Sequence, residues 1–326
     1  MPWLVLVIAA GCGSNSSGTD PDASNPPPED AMGPPVLECG NPDVDAPIVW
    51  SMSPANREIG VDPSAPLVFD VADGCGIDMS TVVFRIAGTE LTPTITGDAK
   101  NLRIQYDAPV GGFTLDAIIA AELFAADTAG NAVTAPMTIR IWDDFTIYVR
   151  AVAQLDSTTP TTPFGWREYY HVEVAAPGEQ RMLARMGVAV DGAGTGLKYV
   201  SAQLHACARD VTSPRTIGAY RLGTEFDHTA ATWINRSASA AWTAAGADAV
   251  PADRDATPFA TLTFHPASDY WSRAASADMA AVVQAWNDDP TQNHGFVFVG
   301  APGNVDINNG NCPLQVRGFL GRPLPL

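Results

Sequence analysis

Val200-Ser201-Ala202-Gln203-Leu204-His205-Ala206 alternates apolar and polar side chains with a period of two. That pattern sends one set to each face of a β-strand and leaves one face for solvent. Phe145, Ile147, Val149 and Ala151 repeat it. Working outward, Met182 to Val190 is a longer apolar strand closed by the glycine-rich turn Asp191 to Gly196. Thr257 to Phe264, Phe296 to Val299 and Leu314 to Leu320 supply further strands. One segment departs from the pattern. Met279, Val282, Val283 and Trp286 fall at helical spacing between Asp278 and Asn287-Asp288-Asp289-Pro290, which predicts one short amphipathic helix. Residues 145–326 are therefore expected to form a jelly-roll-like β-sandwich carrying a single helix.

From Pro47 to Trp142, short strands recur between turn signals. Leu67 to Val71 lies between Pro66 and Asp73-Gly74, and Thr81 to Ile86 ends at Gly88. Ile118 to Ala125 leads into Asp127-Thr128-Ala129-Gly130-Asn131 and then Thr138 to Trp142. This spacing, without a helical period, predicts another β-sandwich over residues 37–144. Asp127 and Asn131 are expected to bond their own turn backbone. The chain as a whole is expected to be all-β.

Ahead of both units, Trp3 to Ala10 is an apolar run ending in Ala9-Ala10-Gly11-Cys12. It is too short to span a bilayer, which takes about 20 apolar residues. Small residues before a cysteine resemble the lipobox of bacterial lipoprotein signal peptides. The resemblance implies a signal segment over residues 1–12, a lipid on Cys12, and export to the outer membrane with the body facing periplasm or cell surface. Residues 13–36 are mainly Ser, Asn, Asp, Gly and Pro. Such a composition cannot offset its ordering entropy, so a disordered spacer is expected.

The net charge of −18 is unevenly spread, since residues 1–144 hold 20 acidic and 5 basic side chains. No stretch is basic enough to follow a phosphate backbone, so nucleic acid is not an expected partner. Membrane contact is expected through the lipid alone. None of the five cysteines stands in a C-x-x-C pair or at zinc spacing from a histidine. With Cys12 lipidated, two remain in each folded unit, and an oxidising compartment predicts Cys39–Cys75 and Cys207–Cys312. Cys207 continues the Ser201, Gln203, His205 series, which places the second bridge on the outer face. It would pin a last strand that looks truncated and otherwise prone to fray.

No nucleophile elbow, His-Glu-x-x-His or phosphate loop occurs, and Asp253, Asp255, Asp288 and Asp289 sit in polar loops. Neither catalysis nor a cofactor is expected. Gly303 to Asn311 presents oxygen ligands at alternate positions, Asp306 and Asn308 among them, like half a calcium loop without its closing acid. An Asn-Gly turn accounts for it equally well. Sugar binding needs an aromatic face against the apolar side of a pyranose, with polar groups at the rim. Trp233 and Trp286 are expected in the core. Trp166-Arg167 and Trp271-Ser272-Arg273 each pair an aromatic ring with a guanidinium, which suits an acidic polysaccharide. With Tyr170 they form the candidate carbohydrate-binding set.

Further stretches carry family resemblances. Pro47 to Asn56, Gly60-Val61-Asp62, Ile77 to Val82 and Ala126 to Asn131 make the first unit similar to bacterial Ig-like domains. That resemblance implies a spacer. In the second unit the matching pieces begin with Pro163-Phe164-Gly165, Arg181 to Val188 and Ala231-Thr232-Trp233-Ile234-Asn235. Asp278 to Trp286, Asn293-His294-Gly295-Phe296 and Gly321-Arg322-Pro323-Leu324 follow. Together they resemble the DNRLRE-domain family, which includes family-96 carbohydrate-binding modules. The resemblance implies a β-sandwich that binds polysaccharide reversibly, without covalent chemistry. The alternative is a structural or adhesion lipoprotein that contacts protein partners. Phe226 and His228 stand where that family has Trp and Glu, and its closing Arg-Glu pair is not evident near Arg317, so no sugar specificity is inherited.

Overall fold

The computed structural model describes residues 33–175, 178–187, 196–209, 211–267, 271–300 and 305–325. The Cys12 anchor, the spacer up to residue 32 and the turn at residues 191–195 lie outside the described residues.

The first unit holds β1 (Ile48–Ser53), β2 (Ile59–Val61), β3 (Leu67–Ala72), β4 (Val83–Ile86), β5 (Thr89–Leu91), β6 (Thr94–Asp98), β7 (Asn101–Tyr106), β8 (Ile118–Ala126) and β9 (Ala132–Ile141). Its sheets run β1-β3-β7-β6 and β2-β9-β8-β4-β5. Leu67, Phe69, Val71 and Ile104 of one sheet meet Phe84, Leu123, Met137 and Ile139 of the other in a shared core. That is a β-sandwich, as the strand spacing predicts. β6 and β7 escape the sequence reading because polar residues dominate them, and only Leu102 and Ile104 of β7 turn inward as fully buried side chains. The turn after β8 is self-satisfied: Asp127 Oδ1 accepts from the backbone of Ala129 and Asn131, each at 2.8 Å. Cys39 and Cys75 are bridged, with Cα atoms 4.5 Å apart.

The second unit continues with β10 (Asp143–Asp156), β11 (Tyr169–Ala175), β12 (Gly178–Met186), β13 (Lys198–Arg209), β14 (Arg215–Arg221), β15 (Asn235–Ser237), β16 (Ala240–Ala241), β17 (Ala260–Phe264), β18 (Trp271–Ala275), β19 (Phe296–Gly300), β20 (Val305–Asn308) and β21 (Gln315–Gly321). Two long strands belong to both sheets. β10 pairs β21 with its first half and β12 with its second, while β11 pairs β20 and then β12. One sheet therefore runs β10-β21-β13-β20-β11, with β18 also on β13, and the other runs β12-β19-β14-β17. Tyr170, Met182, Leu204, Phe264, Phe296, Phe298 and Val316 pack between them.

The two sheets differ in what covers their outer faces, and that difference positions the site. A second apolar layer of Leu222, Phe226, Trp242 and Ala247 lies on Leu183 and Val297, so β12 and β19 are buried on both sides. Their sequences accordingly read as unbroken apolar runs, Met182-Leu183-Ala184 and Phe296-Val297-Phe298. β13 and β21 alternate because their outer face is open, with Gln203, Arg317 and Phe319 exposed while Leu204, Val316 and Leu320 are buried.

The predicted helix is α1 (Ala280–Asp288), with Val283 and Trp286 buried. Asp278 Oδ1 accepts from Ala280 N at 3.2 Å and from Ala202 N at 2.7 Å, which ties the helix start to β13. The last strand is an interior one. β21 lies between β10 and β13 and pairs with both along its length. The Cys207–Cys312 bridge forms, with Cα atoms 5.9 Å apart. It sits on the outer face, yet Cys207 is only 3% exposed.

The two units touch directly. Arg140 pairs with Asp116 at 2.9 Å and donates to the Pro323 carbonyl at 2.6 Å, and Trp142 stacks on Phe319 with ring centroids 4.6 Å apart. A Cβ on Gly321 would overlap the backbone of Gly60, so glycine is required for that approach.

Candidate binding face on the second sandwich

Register places a row of functional side chains across four strands of the open face. Arg209 of β13 lies opposite both Trp271 of β18 and Asp306 of β20, and Asp306 lies opposite His171 of β11. Side chains directly opposite across paired strands share a face. Tyr169 joins them, two residues before His171. The Arg209 guanidinium sits 3.7 Å over the Tyr169 ring, and Tyr169 stacks on Trp271 with centroids 6.4 Å apart and planes 9° from parallel. Arg273, two residues beyond Trp271 on the same face, is exposed.

Electrostatics organises this cluster. The buried Asp306 carboxylate receives Arg209 Nε at 3.4 Å and is hydrogen-bonded to His171 Nδ1. Gln154, 1% exposed, holds β11 in place, donating to the His171 carbonyl at 2.7 Å and accepting from its amide at 2.8 Å. The hydrogen bond to Asp306 lifts His171 above the usual imidazole range, against burial and the charges of Arg167 and Arg209. A raised folded value contributes stability that is complete below the unfolded value of about 6.5 and fades as pH rises through the folded one. Wild type is therefore expected to exceed His171→Gln in thermal stability by more at about pH 5.5 than at about pH 8.5. A gap that does not change with pH in melting experiments would show that this pair holds no extra proton.

The structure sorts the sequence candidates. Trp271 and Arg273 are brought to the cluster. Trp166 is 69% exposed, in the loop before β11. Arg167 stacks over Phe164 at 4.2 Å, so the guanidinium partner expected for Trp166 is engaged by a different ring. Tyr170 is corrected: it is fully buried, and burial pushes its phenol up to about 12. The protonated hydroxyl accepts from Arg167 N at 2.6 Å and donates to the Gly165 carbonyl at 3.2 Å, which pins the preceding loop. Trp242 is also buried, its Nε1 donating to the Thr232 carbonyl at 3.0 Å.

For Asp306 and Asn308, the weak calcium candidates, the described residues show the turn alternative, while Gly303 and Asn304 lie outside them. Both lie on strand β20 and are buried, Asp306 among the cations just described. Asn308 Oδ1 accepts from Gly310 N at 3.1 Å and Cys312 N at 2.8 Å, the bonds of an Asn-centred turn. Among the described residues no group of three or more His, Cys, Asp or Glu side chains could hold a metal ion. Sequence reasoning did not single out Arg209, His171 and Asp306 as a group. The one available signal was the β13 alternation, which places Arg209 on the His205 and Cys207 face.

No protein-family model matches the chain, and no curated protein matches it, so the family resemblances rest on the quoted residues alone. Dimeric latent PorU from Porphyromonas gingivalis aligns with 73% of this chain at 14% identity and a TM-score of 0.27, and the chain covers 20% of that protein's length. A carbohydrate-binding module of the β-sandwich superfamily, described for its promiscuous specificity, aligns over 86% of this chain and 99% of its own at 11% identity and TM-score 0.23. The mixed-linkage glucan utilization locus protein SGBP-B of Bacteroides ovatus, solved with a heptasaccharide, aligns over 79% and 71% at 10% identity and TM-score 0.16. Superpositions this loose leave function to be read from the chain's own surface.

Proposed function

We propose that this chain is a non-catalytic lipoprotein of the cell envelope that holds a polysaccharide against the open face of its second sandwich. The observation that carries this reading is the cluster of Tyr169, Trp271, Arg209 and Arg273 on the outer face of the sheet that holds β13 and β21. Stacked rings beside guanidinium groups supply both an apolar platform and donors for hydroxyl or carboxylate oxygens. Among the acids with a resolved shift, Asp78, Asp227 and Asp289 are each held below the usual carboxylate range by the hydroxyl of the residue two positions on, while burial and the neighbouring Asp127 raise Asp43 of the first unit.

On a glycan array, the full chain is expected to bind polysaccharide, with Trp271→Ala or Trp166→Ala weakening it by about 1–3 kcal/mol, the range of interface hot spots. Unchanged binding by both variants would remove the site assignment. Binding to envelope proteins but to no glycan would favour the adhesion alternative. The anchor is tested separately: Cys12→Ser is expected to move the protein from the membrane fraction to the soluble one. Mass spectrometry finding an unmodified Cys12 in membrane-bound protein would refute it.

A further inference from the structure

On the same open face, across β10, β21 and β13, lies a groove of about 390 Å³. Three register rows build it. Asp144, Phe319 and Ser201 face one another in the first, and Thr146, Arg317 and Gln203 in the second. Tyr148, Gln315 and His205 form the third, in which His205 lines the groove itself and Tyr148 and Gln315 continue the row beyond it. An exposed ring stands at each end, Phe319 in the first row at 36% and Tyr148 in the third at 55%. The Phe319 ring is held from below, because Trp142 stacks on it with planes 15° apart. The Gln315 carboxamide oxygen, turned toward Arg317, accepts from Nε at 3.0 Å and Nη2 at 2.7 Å, which fixes the guanidinium above the middle of the groove.

Phe145 and Gly318 also line the groove; the other lining groups between the rings are polar, and most can both donate and accept. Ser201, Thr146 and Gln203 do so by nature. Burial and the neighbouring Arg317 hold His205 below the usual imidazole range, which keeps its ring neutral and two-sided at neutral pH. Asp144 adds an acceptor and Arg317 a donor. Paired two-way groups between apolar platforms match a chain of hydroxyl-bearing rings better than a peptide, whose backbone would seek an unpaired strand edge. The first and third rows are four residues apart, a span of about 13 Å at about 3.3 Å per residue. One sugar ring cannot cover that distance.

We propose that this groove is a second carbohydrate subsite, which takes an internal run of several sugars of a polysaccharide rather than a chain end. The inference rests on the polysaccharide-binding reading and adds a distinct set of residues to it. The test uses the full chain in affinity electrophoresis against xylan, laminarin and polygalacturonate, followed by titration with oligosaccharides of increasing length from whichever polymer retards it. Affinity is expected to rise at least tenfold from the disaccharide to the pentasaccharide. Phe319→Ala and Arg317→Ala are each expected to weaken polymer binding by about tenfold, the loss of one good contact. Arg317 is exposed, so that variant separates binding from folding, and melting curves check both. If Trp271→Ala weakens retardation while Phe319→Ala and Arg317→Ala leave it unchanged, the groove is not a subsite and the parent reading stands. Equal affinity for di- and pentasaccharide would overturn the extended run. Retardation by none of the three polymers would overturn the parent reading and the subsite together.

Discussion

The Cys207→Ala/Cys312→Ala double variant is expected to lose more stability than Cys39→Ala/Cys75→Ala. The two bridges join residues 105 and 36 positions apart. Chain entropy gives upper figures of about 4.8 and 3.8 kcal/mol for loops of those lengths. The logarithm keeps that difference to about 1 kcal/mol. Position widens it. Cys207 is buried, and Cys312 lies in the turn that feeds β21, the strand on which β10 and β13 both pair. Loosening that turn frees an interior strand rather than an edge. The Cys39–Cys75 bridge ties only an entry segment to the turn after β3. Guanidinium chloride unfolding of both double variants beside the native protein measures the difference. Equal losses, or a larger loss for the Cys39–Cys75 pair, would refute this account.

Arg181→Met comes next, with an expected loss of about 3 kcal/mol, the scale for removing one partner of a buried, hydrogen-bonded charge. Arg181 is 4% exposed at the start of the buried stretch of β12. Its guanidinium donates to Glu179 and to the Gly246 carbonyl, each at 2.7 Å, and to Asp248 at 3.0 Å. It also lies 5.4 Å from the Trp233 ring centroid. Methionine fills much of the volume but leaves the buried Gly246 carbonyl without its donor. Asp248 retains Arg254 at 2.8 Å and is half-exposed, which keeps the loss from being larger. Arg181→Lys is expected to recover less than half of it, since a single ammonium cannot reproduce a fork that meets three acceptors while stacking on a ring. Full recovery by lysine in denaturant titrations would show that charge alone matters at this position.

Arg181 also shows where sequence reasoning stopped. In the sequence it is part of an arginine-bearing strand motif with no assignable role. Its acceptors Gly246 and Asp248 lie in the layer that covers the second sheet, more than sixty residues later. Thr232-Trp233-Ile234-Asn235 is similar: its Thr232 hydroxyl accepts from Asn235 N at 3.0 Å, and Trp233 takes the guanidinium stack, so the motif is structural. Tyr170 was misplaced because residues flanking it are polar, and flanking residues do not report which way a strand side chain points.

Local chemistry was enough for the all-β class, the helix at Ala280–Asp288, the Asn-centred turns and the distinction between alternating and continuous apolar strands. Period-two alternation is a direct record of one open face, and an unbroken apolar run records burial on both. The pairing of β13 with β18, β20 and β21 was not legible, because register is set by contacts distant in the chain, and a shift of one residue would turn every side chain to the other face. Only the tertiary structure could bring Arg209, Asp306 and His171 into one row, bury Tyr170, and set Trp142 of the first sandwich under Phe319 of the second. A strand with clear alternation encodes which of its side chains face outward, but which outward side chains become neighbours is decided by the packing of the whole chain.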